Sequence, residues 1–192
     1  MNRGSAVAKR HAPLRELYQE SPREAMVSKW AKTSTANVSP SDPFHGEVEV
    51  GRGYGAFLRF GLDRQVGGLH DLPNPGDILC AALAACADGT VRMIADLLGV
   101  TLEEVEAEVT GEVDVRGALA VDPDVRVGFE ALSCHVRLRP ASDANPRMVA
   151  RLADAAERFC INLDTLRGGV SIEVSADLGV EDEAKGGARG SV

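Results

Sequence analysis

The stretch NPGDILCAALAACADG, residues 74–89, decides how the rest of the chain is read. Its Asn-Pro pair is a helix-initiation signal. From Ile78 to Leu98 apolar residues then recur at helical spacing. Leu79, Leu83, Cys86, Thr90, Met93 and Leu97 are expected on one stripe, with Asp88, Arg92 and Asp96 on the other side. Gly99 stops the helix. The helix is apolar around much of its circumference, so it should be buried on more than one side, which a dimer would supply.

Outward from this helix, two strands are expected on its N-terminal side, EVEVG (47–51) and AFLRFGL (56–62), separated by RGYG. On its C-terminal side, 104–117 alternates apolar and acidic residues and reads as a half-exposed strand. A second strand is predicted over 125–140, with Leu132, Cys134, Val136 and Leu138 on one face. Residues 146–160 form a second amphipathic helix through Met148, Leu152, Ala155 and Phe159, and VSIEVSADL (170–178) is a last strand. Strands that follow one another outnumber β-α-β alternation. The fold class is therefore α+β, a largely antiparallel sheet with a long buried central helix and a second helix.

The first 45 residues are an N-terminal extension. Residues 1–12 are polar, basic and expected to be disordered; Leu14, Leu17 and Tyr18 then suggest a short amphipathic helix. Ser21-Pro22-Arg23-Glu24 carries a helix-start signature, and 24–38 leans towards strand. Residues 46–178 form the main domain, and 179–192 a charged, glycine-rich, frayed tail.

Composition narrows the function. With 44% hydrophobic and 26% charged residues, the 192-residue chain can bury a core. A net charge of −8 argues against a nucleic-acid backbone as partner. The basic start has no apolar stretch behind it, so no secretory signal is expected, and no run approaches 18 apolar residues, so no membrane partner is expected. Four scattered cysteines do not make a disulfide scaffold, which points to a reducing, cytoplasmic compartment. The four histidines show no zinc-ligand spacing, and GRGYG lacks the dinucleotide fingerprint, so no cofactor is called for.

The cysteines are the remaining chemistry. A buried free cysteine can simply be a small hydrophobe; Cys134, on the inward strand face, is read that way, and Cys80 has no evident role. If Cys86 is a nucleophile, it must react as thiolate. It lies eleven residues past Pro75, roughly 16 Å along the helix. The dipole of its own helix acts mainly over the first turn and cannot activate it. A cation must come from elsewhere, and Arg52, flanked by glycines in GRG, is the candidate by sequence type; it is equally readable as a solvated turn arginine. Cys160, ending the second helix, is either a packed core residue or a partner sulfur.

Residues 74–86 resemble the start of the central helix in the OsmC/Ohr family, the osmotically inducible and organic-hydroperoxide-resistance proteins. There Asn/Ser-Pro-Glu leads into an alanine-rich helix ending in Ala-Ala-Cys. A second family feature, a helix ending in A-E-x-x-C-P-[VY]-S before a final strand, appears here as AERFCINL (156–163). The resemblance covers roughly residues 45–178. It implies an intertwined homodimer whose central helices pack together. It also implies a peroxidase in which Cys86 attacks an organic hydroperoxide, Cys160 condenses with the resulting sulfenic acid to a disulfide, and a lipoyl-type dithiol reduces it. Neither metal nor flavin is required. Arg52 would match the activating arginine. The glutamate that holds that arginine is replaced by Gly76, with Asp77 the nearest substitute, and the proline after the second cysteine is Ile161. These departures leave a second expectation open: a non-peroxidatic dimer that binds a small hydrophobic ligand or partner, its cysteines serving as core residues or redox sensors.

Overall fold

The computed structural model describes residues 4–177. The chain runs α1 (Ala6–Glu20), β1 (Ala31–Thr33), β2 (Gly46–Val50), β3 (Phe57–Phe60), α2 (Pro75–Leu98), β4 (Leu102–Glu112), α3 (Val115–Ala118), β5 (Ala131–Pro140), α4 (Pro146–Phe159) and α5 (Ile161–Gly168). The strands form two antiparallel sheets, β1-β2-β3 and β4-β5. This is the expected α+β class.

α2 is the organising element, fixed at both ends. The Asn74 side chain accepts from the backbone N–H groups of Gly76 and Asp77, and the Asp77 carboxylate accepts in return from the Asn74 N–H at 2.9 Å. This reciprocal cap satisfies N–H groups that the first turn otherwise leaves unpaired. At the other end Gly99 adopts a left-handed φ of 71°, a conformation that glycine reaches at little cost because it has no Cβ.

One face of α2 packs on β4-β5. Directly opposed pairs Val105–Leu138, Ala107–Val136 and Val109–Cys134 supply the inward side of that ribbon. Its outward side carries the ion pairs Glu106–Arg137 and Glu104–Arg139, exposed and individually weak. Val91, Ile94, Ala95, Val100 and Leu152 form the main core, and Leu83, Ala87 and Cys160 a second one.

The buried stripe of α2 is rotated from the expected one. Leu83, Ala87, Thr90, Val91, Ile94 and Ala95 are buried, while Leu79 and Met93 remain exposed. Val91 and Ile94 face inward in place of Leu79 and Met93, and Ala87 and Ala95 beside them leave room for the packed neighbours. By length and mean hydropathy (1.6) α2 could cross a membrane, yet β4, β5, α4 and α5 pack against it. Only 33% of its most apolar window is buried within one chain.

Other boundaries also move. The helix predicted around Leu14 begins at Ala6, inside the segment expected to be disordered. Buried Ser5 caps it and also donates to the Asp96 carboxylate, which accepts from Val7 N–H at 2.9 Å. A long-range anchor thus orders a polar start. The signature at Ser21 yields only a short 3-10 turn, Pro22–Ala25, and the strand expected within 24–38 is limited to β1. The acidic strand ends at Glu112 rather than 117, because Asp114 caps the turn of α3, and β5 starts at Ala131 rather than 125. The last strand is not formed: Val170, Ile172 and Val174 alternate as predicted but lie exposed, at 64%, 79% and 90%, with no ladder partner among the described residues. Leu178 and the predicted tail lie outside the described residues.

Candidate functional site

Cys86 sits midway along α2, and Cys160 sits at the joint between α4 and α5, where the backbone turns extended (φ −76°, ψ 108°). Cys160 is 2% exposed and packs against Leu83 and Ala87, one turn and one residue away from Cys86 on the same helix. All four cysteines are reduced. Burial pushes the Cys160 thiol up, as does its hydrogen-bonding contact with the Cys86 sulfur, while the N–H groups of Leu163 and Asn162 act the other way.

Cys86 also receives a hydrogen bond from the Asn162 backbone N–H, at 3.5 Å. The Asn162 side chain donates to the carbonyl of Ala82 at 2.8 Å, four residues before Cys86. The Cys86 carbonyl accepts from the buried Thr90 hydroxyl at 2.7 Å. Asp88, whose carboxylate would oppose a thiolate, is held by Arg92 at 2.6 Å.

The structure therefore brings Cys86 and Cys160 together and leaves the two other predicted site residues engaged elsewhere. Arg52 lies in the β2–β3 turn between Gly51 (φ 72°) and Gly53 (φ 80°), with its guanidinium 5.0 Å from the centre of the Trp30 ring. It makes no ion pair with Asp77 among the described residues. Asp77 closes the α2 cap and stands near Cys80, whose thiol is pushed up by burial first and by that carboxylate second. At Gly76, where the family pattern has glutamate, a Cβ would come within 2.9 Å of the capping Asn74 oxygen and 3.3 Å of the Phe129 ring. The glycine thus suits the local cap.

Cys134 packs into the same cluster as Cys86 and Cys160, as a core residue should, and burial pushes its thiol up. A cavity of about 800 Å³ opens beside Cys160, lined by Leu79, Leu83, Phe129, Cys134 and Leu163 among others. Among the described residues no group of three His, Cys, Asp or Glu side chains is arranged to hold a metal ion. Sequence reasoning missed Asn162 and α5 altogether. The available signal was weak: an Asn two residues past a helix-ending cysteine, without proline or capping serine.

The fold and the paired cysteines define an OsmC-like α+β protein, and comparison with known proteins agrees. The family model for OsmC-like protein matches residues 68–175, more than half of the chain. The chain belongs to the OsmC/Ohr family. No curated protein sequence matches it. Among solved structures, an OsmC-like protein from Mycoplasma pneumoniae is similar at a TM-score of 0.57 and 14% identity, covering 74% of this chain and 89% of that one. An organic hydroperoxide resistance protein OsmC from Legionella pneumophila gives 0.54 and 22%, over 74% and 91%. An organic hydroperoxide resistance protein from Elizabethkingia anophelis gives 0.53 and 15%, over 75% and 91%. At such identities the likeness shows the fold alone.

Proposed function

We propose that this chain is a thiol-dependent peroxidase for organic hydroperoxides, working as a homodimer in a reducing, cytoplasmic compartment. The observation that carries this reading is the contact between two reduced sulfurs delivered by different helices, Cys86 from α2 and Cys160 from the α4–α5 joint. The Cys86 thiolate attacks the terminal peroxide oxygen; an S–O bond forms, the O–O bond breaks, and the alkoxide leaves as alcohol after taking a proton. Cys160, as thiolate, then attacks the sulfenic sulfur, forming the disulfide and releasing water. A lipoyl-type dithiol returns both thiols by exchange. No step calls for a metal or a flavin.

Arg52 serves as activating cation in this scheme only if a second copy presents its β2–β3 turn to α2. The uncovered face of α2 and the exposed Val170–Val174 segment support such an intertwined dimer. The relatives named as organic hydroperoxide resistance proteins support the substrate class.

A second reading, a dimer that binds a small hydrophobic ligand, is favoured by the cavity beside Cys160, whose apolar floor of Leu79, Leu83 and Leu163 is accompanied by Arg126, Glu130, Glu157 and Arg167, and by Arg52 resting on Trp30. One experiment separates them. Reduced protein receives one equivalent of cumene hydroperoxide, and a parallel sample receives hydrogen peroxide; thiols are mapped by mass spectrometry. The peroxidase gives a Cys86–Cys160 disulfide, faster with the organic peroxide. Four intact thiols after minutes in folded protein would leave the binding reading.

A further inference from the structure

Cys86 needs a source of positive potential, and α2 does not provide it at mid-helix. The charged groups near it do not provide it either: Asp88 is negative and tied to Arg92, and Arg52 is stacked on Trp30. Its sulfur is met instead by the first turn of α5. Cys160, the residue before that helix, makes no side-chain cap, so the first N–H groups of α5 remain available to the sulfurs. Asn162 N–H points at the Cys86 sulfur at 3.5 Å, and the N–H groups of Leu163 and Asn162 also address the Cys160 sulfur.

Orientation of that turn is not left to the backbone alone. The Asn162 amide spans to the Ala82 carbonyl at 2.8 Å, the oxygen that in a regular helix accepts from the Cys86 N–H. One residue thus holds α5 to the turn of α2 that carries the candidate nucleophile, by side chain and main chain together. We propose that Asn162 is the positioning residue of this site: its side chain clamps α5 onto α2 so that its own N–H supports the Cys86 thiolate from within the same chain. The inference rests on Cys86 being the reacting thiol, but its test needs no peroxide.

Reduced full-length protein is alkylated with iodoacetamide between pH 5.5 and 9.5, and modification of Cys86 and Cys80 is followed separately by peptide mass spectrometry. Asn162→Pro removes the N–H at the second position of α5, where that group has no carbonyl partner within the helix to lose; Asn162→Ala keeps the N–H and removes the clamp. Alkylation of Cys86 at pH 7 should slow about tenfold in the proline variant, with the gap narrowing towards pH 9.5. The alanine variant should slow it about threefold, and Cys80, on the first turns of α2, should not change in either. An unchanged Cys86 rate profile in both variants overturns the proposal, and so does a change in the proline variant alone, which would give the amide a role without the clamp. If far-UV circular dichroism shows the proline variant unfolded, the alanine variant decides. A protein that ignores hydroperoxides still yields this reading, so the two conclusions fail separately.

Discussion

The neighbourhood of Cys86 and the β2–β3 turn differ in what one chain can complete by itself. At Cys86, α2, α4 and α5 converge, Cys160 is 2% exposed, and among the described residues no buried side-chain nitrogen or oxygen lacks a hydrogen-bond partner. At the turn, Arg52 covers an aromatic ring while Tyr54 and Phe57 beside it are 81% and 55% exposed. Within one chain the first region is the more finished of the two, enclosing Leu83, Ala87 and Cys160 while Phe159 and Ile161 beside them stand 60% and 74% exposed; in the second, among the described residues, apolar and cationic groups stand largely uncovered. Two cysteines from different helices are brought together within one chain, whereas Arg52 is engaged with Trp30 at the turn.

The sharpest way to break that contrast is at the sulfur. Cys86→Ser should abolish hydroperoxide consumption, because serine cannot supply a nucleophile of comparable acidity at neutral pH. Cys160→Ser should allow one oxidation and then stall, leaving a sulfenic acid that a dimedone-type trap labels at Cys86. Consumption by Cys86→Ser at the wild-type rate would remove the more finished region from the chemistry.

Next comes the turn itself. An opposite charge a few ångströms from an ionisable group shifts it by about one to three units. Arg52→Ala should therefore slow Cys86 oxidation about tenfold or more in the assembled protein. If oxidation is unchanged while stability drops by about 0.5–1 kcal/mol, the scale of an exposed cation–π contact, Arg52 belongs to Trp30 and the contrast is absolute.

How much of this was legible in the sequence follows the same divide. α2, α4 and the β4-β5 ribbon announce themselves through local signals: Asn-Pro at the start, glycine at the end, and period-two alternation that puts Cys134 inside. The buried stripe of α2 was misplaced because the helix is apolar around much of its circumference: Val91 and Ile94, as apolar as Leu79 and Met93, are buried while those two are exposed, and periodicity alone does not choose between the two faces. α5 was missed because a cysteine, not a usual capping residue, stands before it and eight residues offer too few periods to count. The Trp30–Arg52 contact was invisible because it depends on strand register: Ala31 pairs with Val50, which sets Trp30 opposite the turn, and its carbonyl accepts from Gly51 N–H at 2.9 Å. The last predicted strand has the right alternation, but alternation names a face and not a partner. The contact of Cys86 with Cys160 came from resemblance alone; nothing local to either cysteine implies it.

The smallest expected effect concerns the joint between the two regions. His45, just before β2, bridges two carboxylates: Asp42 at 2.9 Å through Nδ1, and Asp71, in the loop leading to α2, at 3.1 Å through Nε2. These hydrogen bonds, Asp42's first and Asp71's second, hold the imidazole above its ordinary value of 6.5. Asp42 in turn is held below its ordinary 3.8, first by the Phe44 N–H and then by His45. A raised histidine contributes stability that is complete below 6.5 and is lost as pH rises through the raised value. A lowered aspartate contributes stability that is complete above 3.8 and is lost as pH falls further. The bridge is therefore strongest between those two limits, and it weakens on the alkaline side. Thermal unfolding followed from pH 5.5 to 8.5 should show a small decline in wild type that His45→Gln flattens, since glutamine has no charge to lose. Parallel curves for the two proteins would mean that the first sheet is tied to the cysteine-bearing helix by backbone and packing alone, with no electrostatic hinge between the more finished region and the less finished one.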